Sequence, residues 1–153
     1  MTKEHYLYME DVSIGQKYIA GPHEMTADEI IRYAREFDPQ DFHTNPEAAR
    51  HTVFGELVAS GWHTASVTMS LILKAVPKMK GGMIGRAVEN MNWPRPVRPG
   101  DFLSVTCEIQ TITPSKTNPN RGTIRVYTRT VNQRGETVME MTTVIMIPRR
   151  TAG

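Results

Sequence analysis

Residues 37–61 read FDPQDFHTNPEAARHTVFGELVASG. A helical pattern ends at the left edge of this stretch and a longer apolar pattern begins at its right edge. Upstream, residues 26–37 (TADEIIRYAREF) carry Ile30, Tyr33, Ala34 and Phe37 at helical spacing, with Thr26 and Glu29 set as a capping box. Pro39 pushes Asp38 out of the α region, so the helix should end there. A carboxylate at a helix C-terminus faces the negative end of the dipole, which disfavours its charge, and Asp41 stands close enough to add to the effect. A turn-forming Asp-Pro with its side chain in water would use the same residues. His43 follows in the same segment, five positions on. A carboxylate beside an imidazole is an acid–base pair able to hold and polarise water, although that spacing is common in loops. Ser60 suits the N-cap of the next helix. A glycine at position 61 lets a ligand approach backbone N–H groups without intrahelical partners, donors suited to a developing oxyanion. A close helix–sheet contact that only glycine fits would leave the same sequence.

Outward from this stretch, Asn45, Pro46 and Glu47 open a short helix over 46–50, with His51 placed to cap it. Residues 62–76 form the longest helix pattern. Val67, Leu71, Ile72 and Ala75, with Val58, Ala65 and Met69, make it apolar over more than half its circumference, as for a helix buried on most sides. Pro77 stops it. Residues 17–24 read as an edge strand interrupted by Gly21-Pro22, in which His23 stands without a visible partner. Residues 83–93 form another strand, ended by the corner PRPVRPGD. Leu103, Val105, Cys107 and Ile109 then alternate with Phe102, Ser104, Thr106 and Glu108, and residues 123–131 and 136–148 alternate similarly around a turn at 132–135. Consecutive alternating strands favour an antiparallel sheet with one polar face. Residues 1–16 read as an extended lead-in. No repeat, low-complexity tract or linker divides the chain, so one domain over 1–153 is expected.

At 153 residues the chain can bury a sizeable core, and a net charge of +2 is too small to argue for nucleic acid. A single cysteine, Cys107, excludes an intrachain disulfide framework and reads as a core filler in a strand. No apolar run has the length of a membrane span, and the N-terminus has no secretory pattern, so a cytoplasmic protein is expected. His43, His51 and His63 have no standard metal-ligand spacing. Met69, Met79, Met83 and Met91 suit either an adaptable acyl tunnel or ordinary core filling.

Taken together, YAREFDPQDFH, TNPEAA, FGELVASGWHTASV and WPRPVRPGD resemble the MaoC-like dehydratase family, which includes the R-specific enoyl-CoA hydratases. The resemblance runs from about Asp11 to Pro148 and is densest between Ile30 and Ala65. It implies an α+β hotdog fold, an antiparallel β-sheet wrapped around a long central helix, with a helix-loop overhang carrying the active site. It implies a catalytic pair at Asp38 and His43 and an oxyanion donor at the Gly61 N–H. The implied reaction is reversible hydration of a trans-2-enoyl thioester, with no cofactor beyond the coenzyme A of the substrate. Two positions depart from the family pattern: Gln40 stands where an Asn is usual, and Ser60 where a His usually precedes the helix glycine.

The resemblance also implies a homodimer, since a single sheet around one helix leaves edges and one face exposed. Acyl-CoA is the expected partner, with no nucleic acid and no membrane. Other readings keep the fold: a branched or dicarboxylic acyl substrate, a thioesterase, or a non-catalytic acyl-thioester-binding protein or partner subunit. Retention of both Asp38 and His43 argues against a pure binding module, which needs neither.

Overall fold

The computed structural model describes residues 3–150, so the first two residues of the lead-in and the last three of the expected domain lie outside it. A turn of 3-10 helix at Met9–Asp11 precedes β1 (Lys17–Glu24), α1 (Ala27–Phe37), α2 (Asp41–Thr44), α3 (Pro46–Ala49), α4 (Gly61–Ala75) and then β2 (Ile84–Asn92), β3 (Phe102–Pro114), β4 (Arg121–Val131) and β5 (Thr137–Pro148). The five strands form one antiparallel sheet in the order β1-β3-β4-β5-β2. The fold is α+β with the hotdog arrangement.

The period of two sets the sheet. Leu103, Val105, Cys107 and Ile109 of β3 and Ile124, Val126, Thr128 and Thr130 of β4 point inward on alternate residues. Helix α4 lies on this face against β1 and β3, burying Val67, Leu71 and Ile72, and Thr68 bonds Thr130 at 2.7 Å between hydroxyls. Cys107 is buried there, as a core filler should be.

Three features depart from expectation. Helix α4 is not covered on most sides: Trp62, Ser66, Met69 and Leu73, at helical spacing, form an exposed stripe. Strand β2 is almost wholly exposed and holds an edge of the sheet, so Val88 and Ala87 line an open apolar groove of about 380 Å³ with Met69, Leu73 and Met83. Phe37, expected on the buried face of α1, is 64% exposed, because α1 buries only Ile30 and Ala34. Among the described residues no helix is long and apolar enough to cross a membrane.

Candidate active site

Asp38 is the residue at which α1 stops. Its N–H still reaches Ala34 O at 2.9 Å, but its backbone (φ −153°, ψ 67°) has left the helix, as the following proline requires. His43 then sits in a single helical turn, α2, rather than in the irregular loop expected. Gln40 supplies the extended residue that starts this turn, and the His43 N–H bonds its carbonyl at 2.9 Å. Winding the segment into a turn carries the imidazole inward, where His43 is 6% exposed.

Residues 58–61 hold the rest. The Val58 N–H bonds Phe42 O at 3.0 Å, and the Val58 carbonyl accepts from His43 Nδ1 at 2.7 Å. The Ala59 N–H bonds Val97 O at 2.8 Å. Ser60 caps α4, accepting from the Trp62 N–H at 3.3 Å, and its Oγ donates to Asp38 Oδ2 at 2.7 Å. Gly61 opens α4. One short extended segment, pinned on both sides, therefore positions the imidazole, the carboxylate and a helix N-terminus together.

His43 Nε2 lies 3.3 Å from Asp38 Oδ2. A carbonyl oxygen only accepts, so His43 Nδ1 carries a hydrogen and Nε2 is the nitrogen left facing the carboxylate. Asp38 Oδ1 accepts from Gln40 Nε2 at 2.7 Å. Burial alone would push Asp38 up, but the donors Ser60 and Gln40 and the neighbouring His43 outweigh it and hold the carboxyl below its ordinary value. The helix dipole and Asp41 led to the opposite expectation. Specific donors reverse it, and Asp41 itself sits exposed in the first turn of α2, where the dipole suits it.

Asp38, His43 and Gly61 line one cavity of about 460 Å³. Its walls are aromatic and proline-rich: Phe42, Phe54, Trp62, Trp93, Pro94 and Pro96. The Trp93 indole N–H donates to Gly61 O at 2.9 Å, and a Cβ on Gly61 would come within 2.8 Å of the Trp93 ring. Glycine at 61 thus serves a close contact, with the Trp93 ring, at the residue that opens α4. Trp93 and Val58 were not foreseen as site residues, since no spacing links them to the dyad. The tunnel reading of the methionines finds no support here. Met69 and Met83 line the groove beside β2, Met79 is in the core, and none of them lines the dyad cavity.

A second carboxylate–histidine cluster sits near the same end of α4. Glu29 Oε1 lies 3.2 Å from His63 Nε2 and 3.0 Å from His23 Nε2, so His23 has the partner the sequence did not reveal. The Glu29 side chain turns to these imidazoles, while its N–H completes the expected cap with Thr26 Oγ1 at 3.1 Å. Tyr33 stacks on His63 with ring centroids 4.6 Å apart. His63 Nδ1 is buried without a hydrogen-bond partner among the described residues. Burial, first of all, pushes His63 below the ordinary imidazole value against the upward pull of Glu29. Among the described residues no group of three or more His, Cys, Asp or Glu is placed to hold a metal ion.

Comparison with known proteins places this geometry in context. The chain is 43% identical to the MaoC-like dehydratase of Rhodospirillum rubrum, whose crystal structure superposes with a TM-score of 0.89 over 95% of this chain and 99% of that one. It is 25% identical to the R-hydratase PhaJ1 of Pseudomonas aeruginosa in the unliganded form, with a TM-score of 0.78 over 95% of this chain and 88% of that one. It is also 28% identical to the uncharacterized protein YdeM of Bacillus subtilis (strain 168), over 92% of this chain and 99% of that one. The MaoC like domain model matches residues 11–132, and the chain belongs to that family.

Proposed function

We propose that this protein is a hydro-lyase that adds water to trans-2-enoyl-CoA to give (R)-3-hydroxyacyl-CoA, or catalyses the reverse dehydration. The observation that carries the reading is the pair Asp38 Oδ2 and His43 Nε2, 3.3 Å apart, on one cavity with the Gly61 end of α4. With Nδ1 committed to Val58 O, the neutral imidazole offers Nε2 as an acceptor beside a carboxylate oxygen. One water can donate a hydrogen to each and present a lone pair to the β-carbon. As the C–O bond forms, the alkene electrons shift toward the thioester carbonyl. The developing oxyanion accepts from the Gly61 N–H, one of the first-turn donors without an intrahelical partner. The water gives up a proton to the dyad, and a proton passes to the α-carbon, so the sum is one water added.

No cofactor beyond the coenzyme A of the substrate enters this scheme. The reading includes a cytoplasmic location, consistent with an unpaired Cys107. It also includes a homodimer. The free edge of β2 and the apolar groove of Met69, Leu73, Met83 and Val88 are the surface a second copy would cover. Size-exclusion chromatography with light scattering should give twice the chain mass; a monomer alone would contradict that part. The activity itself is tested by loss of enoyl-thioester absorbance over a panel from crotonyl-CoA to longer and branched enoyl-CoA thioesters, with chiral analysis of the product. An R product from at least one of them is expected. No turnover across the panel, in either direction, would sink the reading.

A further inference from the structure

We infer that Gln40 and Ser60, the two departures from the family pattern, are positioning residues that clamp the Asp38 carboxylate from opposite sides and hold it against His43. The inference rests on the hydration reading and concerns how this chain builds the same site from other side chains. Gln40 Nε2 donates to Oδ1 at 2.7 Å, and Ser60 Oγ donates to Oδ2 at 2.7 Å. Each carboxylate oxygen therefore has its own neutral donor, and the rotamer that faces Oδ2 toward His43 Nε2 is fixed at both ends. A donor to an ionised carboxylate favours the ionised form, which is the form able to accept a hydrogen from water. Both donors lie within the segments that make the site. Gln40 starts the turn carrying His43, and Ser60 immediately precedes Gly61. Ser60 is fully buried and the Gln40 side chain is exposed, so water replaces the Gln40 bond more readily than the Ser60 bond. The substituted positions thus tighten the dyad and do not mark its decay.

The test uses Ser60→Ala, Gln40→Met and the double variant of the full-length protein, with two readouts. The first follows the Asp38 carboxyl carbon by NMR through an acid titration, the resonance being identified by its loss in Asp38→Asn. This reports the clamp whether or not the protein hydrates anything. The second is the pH profile of kcat/KM on the best enoyl-CoA substrate. The expected result is an Asp38 midpoint moved upward in each single variant and furthest in the double. The acid limb of kcat/KM should move upward with it, and kcat should fall about ten- to a hundredfold for Ser60→Ala and less than tenfold for Gln40→Met. Ser60 also caps α4, so its loss lowers the melting temperature as well. A purely structural role would lower stability and leave the Asp38 midpoint and the acid limb where they are. Because the Gln40 side chain bonds only Asp38 among the described residues, Gln40→Met separates the two effects even where Ser60→Ala folds poorly. An unmoved Asp38 midpoint in Gln40→Met and in the double variant overturns the inference. Absence of hydration in the wild type with a moved midpoint overturns the function and leaves the clamp standing.

Discussion

The first turn of α4 touches two carboxylate–histidine clusters, and their electrostatics differ. At Gly61, Asp38 meets His43 on the wall of an aromatic cavity. Two neutral donors hold the carboxylate below its ordinary value, and the imidazole has one nitrogen anchored and one left to work. Two residues on, Glu29 bridges His63 and His23. Burial pushes His63 down toward its neutral form, one of its nitrogens has no partner, and Tyr33 covers its face. The first cluster keeps a charge and an open acceptor beside a cavity. The second ties β1, α1 and α4 together by hydrogen bonds. Proximity of a carboxylate to an imidazole therefore does not distinguish the clusters, and neither does a nitrogen without a partner; what differs is the form each setting favours, an ionised carboxylate at Asp38 and a neutral imidazole at His63.

Substitution should separate the two clusters most sharply in rate. His43→Gln is expected to reduce kcat/KM for enoyl-CoA hydration by about three orders of magnitude, within the range for a lost general acid–base group, with little change in melting temperature. Glu29→Gln and His63→Gln should do the reverse. Each should cost less than tenfold in rate but about 1–3 kcal/mol in stability, a fall of several degrees, because the buried His63 loses its partner in a half-buried network. If Glu29→Gln proves as damaging to turnover as His43→Gln, the two clusters are not distinct in role.

Gly61→Ala is expected to be intermediate in rate. Its Cβ would press on the Trp93 ring, displacing the helix end that carries the oxyanion donor, with about a ten- to a hundredfold loss. Trp93→Leu in the same chain should recover part of it. Failure to recover any activity would mean that the Gly61 contact with Trp93 is not what limits the variant.

Acid should separate the clusters more gently. Unfolded His63 takes up its proton near 6.5, whereas in the folded chain it does so only at lower pH. As pH falls through about 6.5 the unfolded state binds more protons, so stability declines on that side and is flat above it. His63→Gln should flatten the decline. The depressed Asp38 acts in a lower window, contributing stability above its ordinary value near 3.8 and losing it below. A melting-temperature profile that keeps its slope between about pH 7 and 5 in His63→Gln would assign the slope to other groups. The smallest effect is expected from Asp41→Asn, which should change kcat/KM by less than about threefold, since Asp41 is an exposed first-turn residue.

The sequence made the strands and caps legible where local chemistry decides them. The alternation in β3, the Thr26, Asn45 and Ser60 caps and the stop at Pro39 all sit where spacing places them. What it could not show depends on contacts between distant positions. The charge preference of Asp38 follows from Ser60, 22 positions away, and not from the helix end on which the residue sits. The partner of His23 is on the next helix, and Trp93 meets Gly61 across 32 positions. The open stripe on α4 was missed because hydrophobicity marks a face for burial without saying whether this chain or another covers it.

The measurement that bears most directly on the central claim is the rate of enoyl-thioester absorbance loss with crotonyl-CoA for the wild type, Asp38→Asn and Glu29→Gln side by side. Hydration by the wild type and Glu29→Gln, with Asp38→Asn slower by about three orders of magnitude, is the predicted result. Comparable rates for Asp38→Asn and the wild type would contradict it.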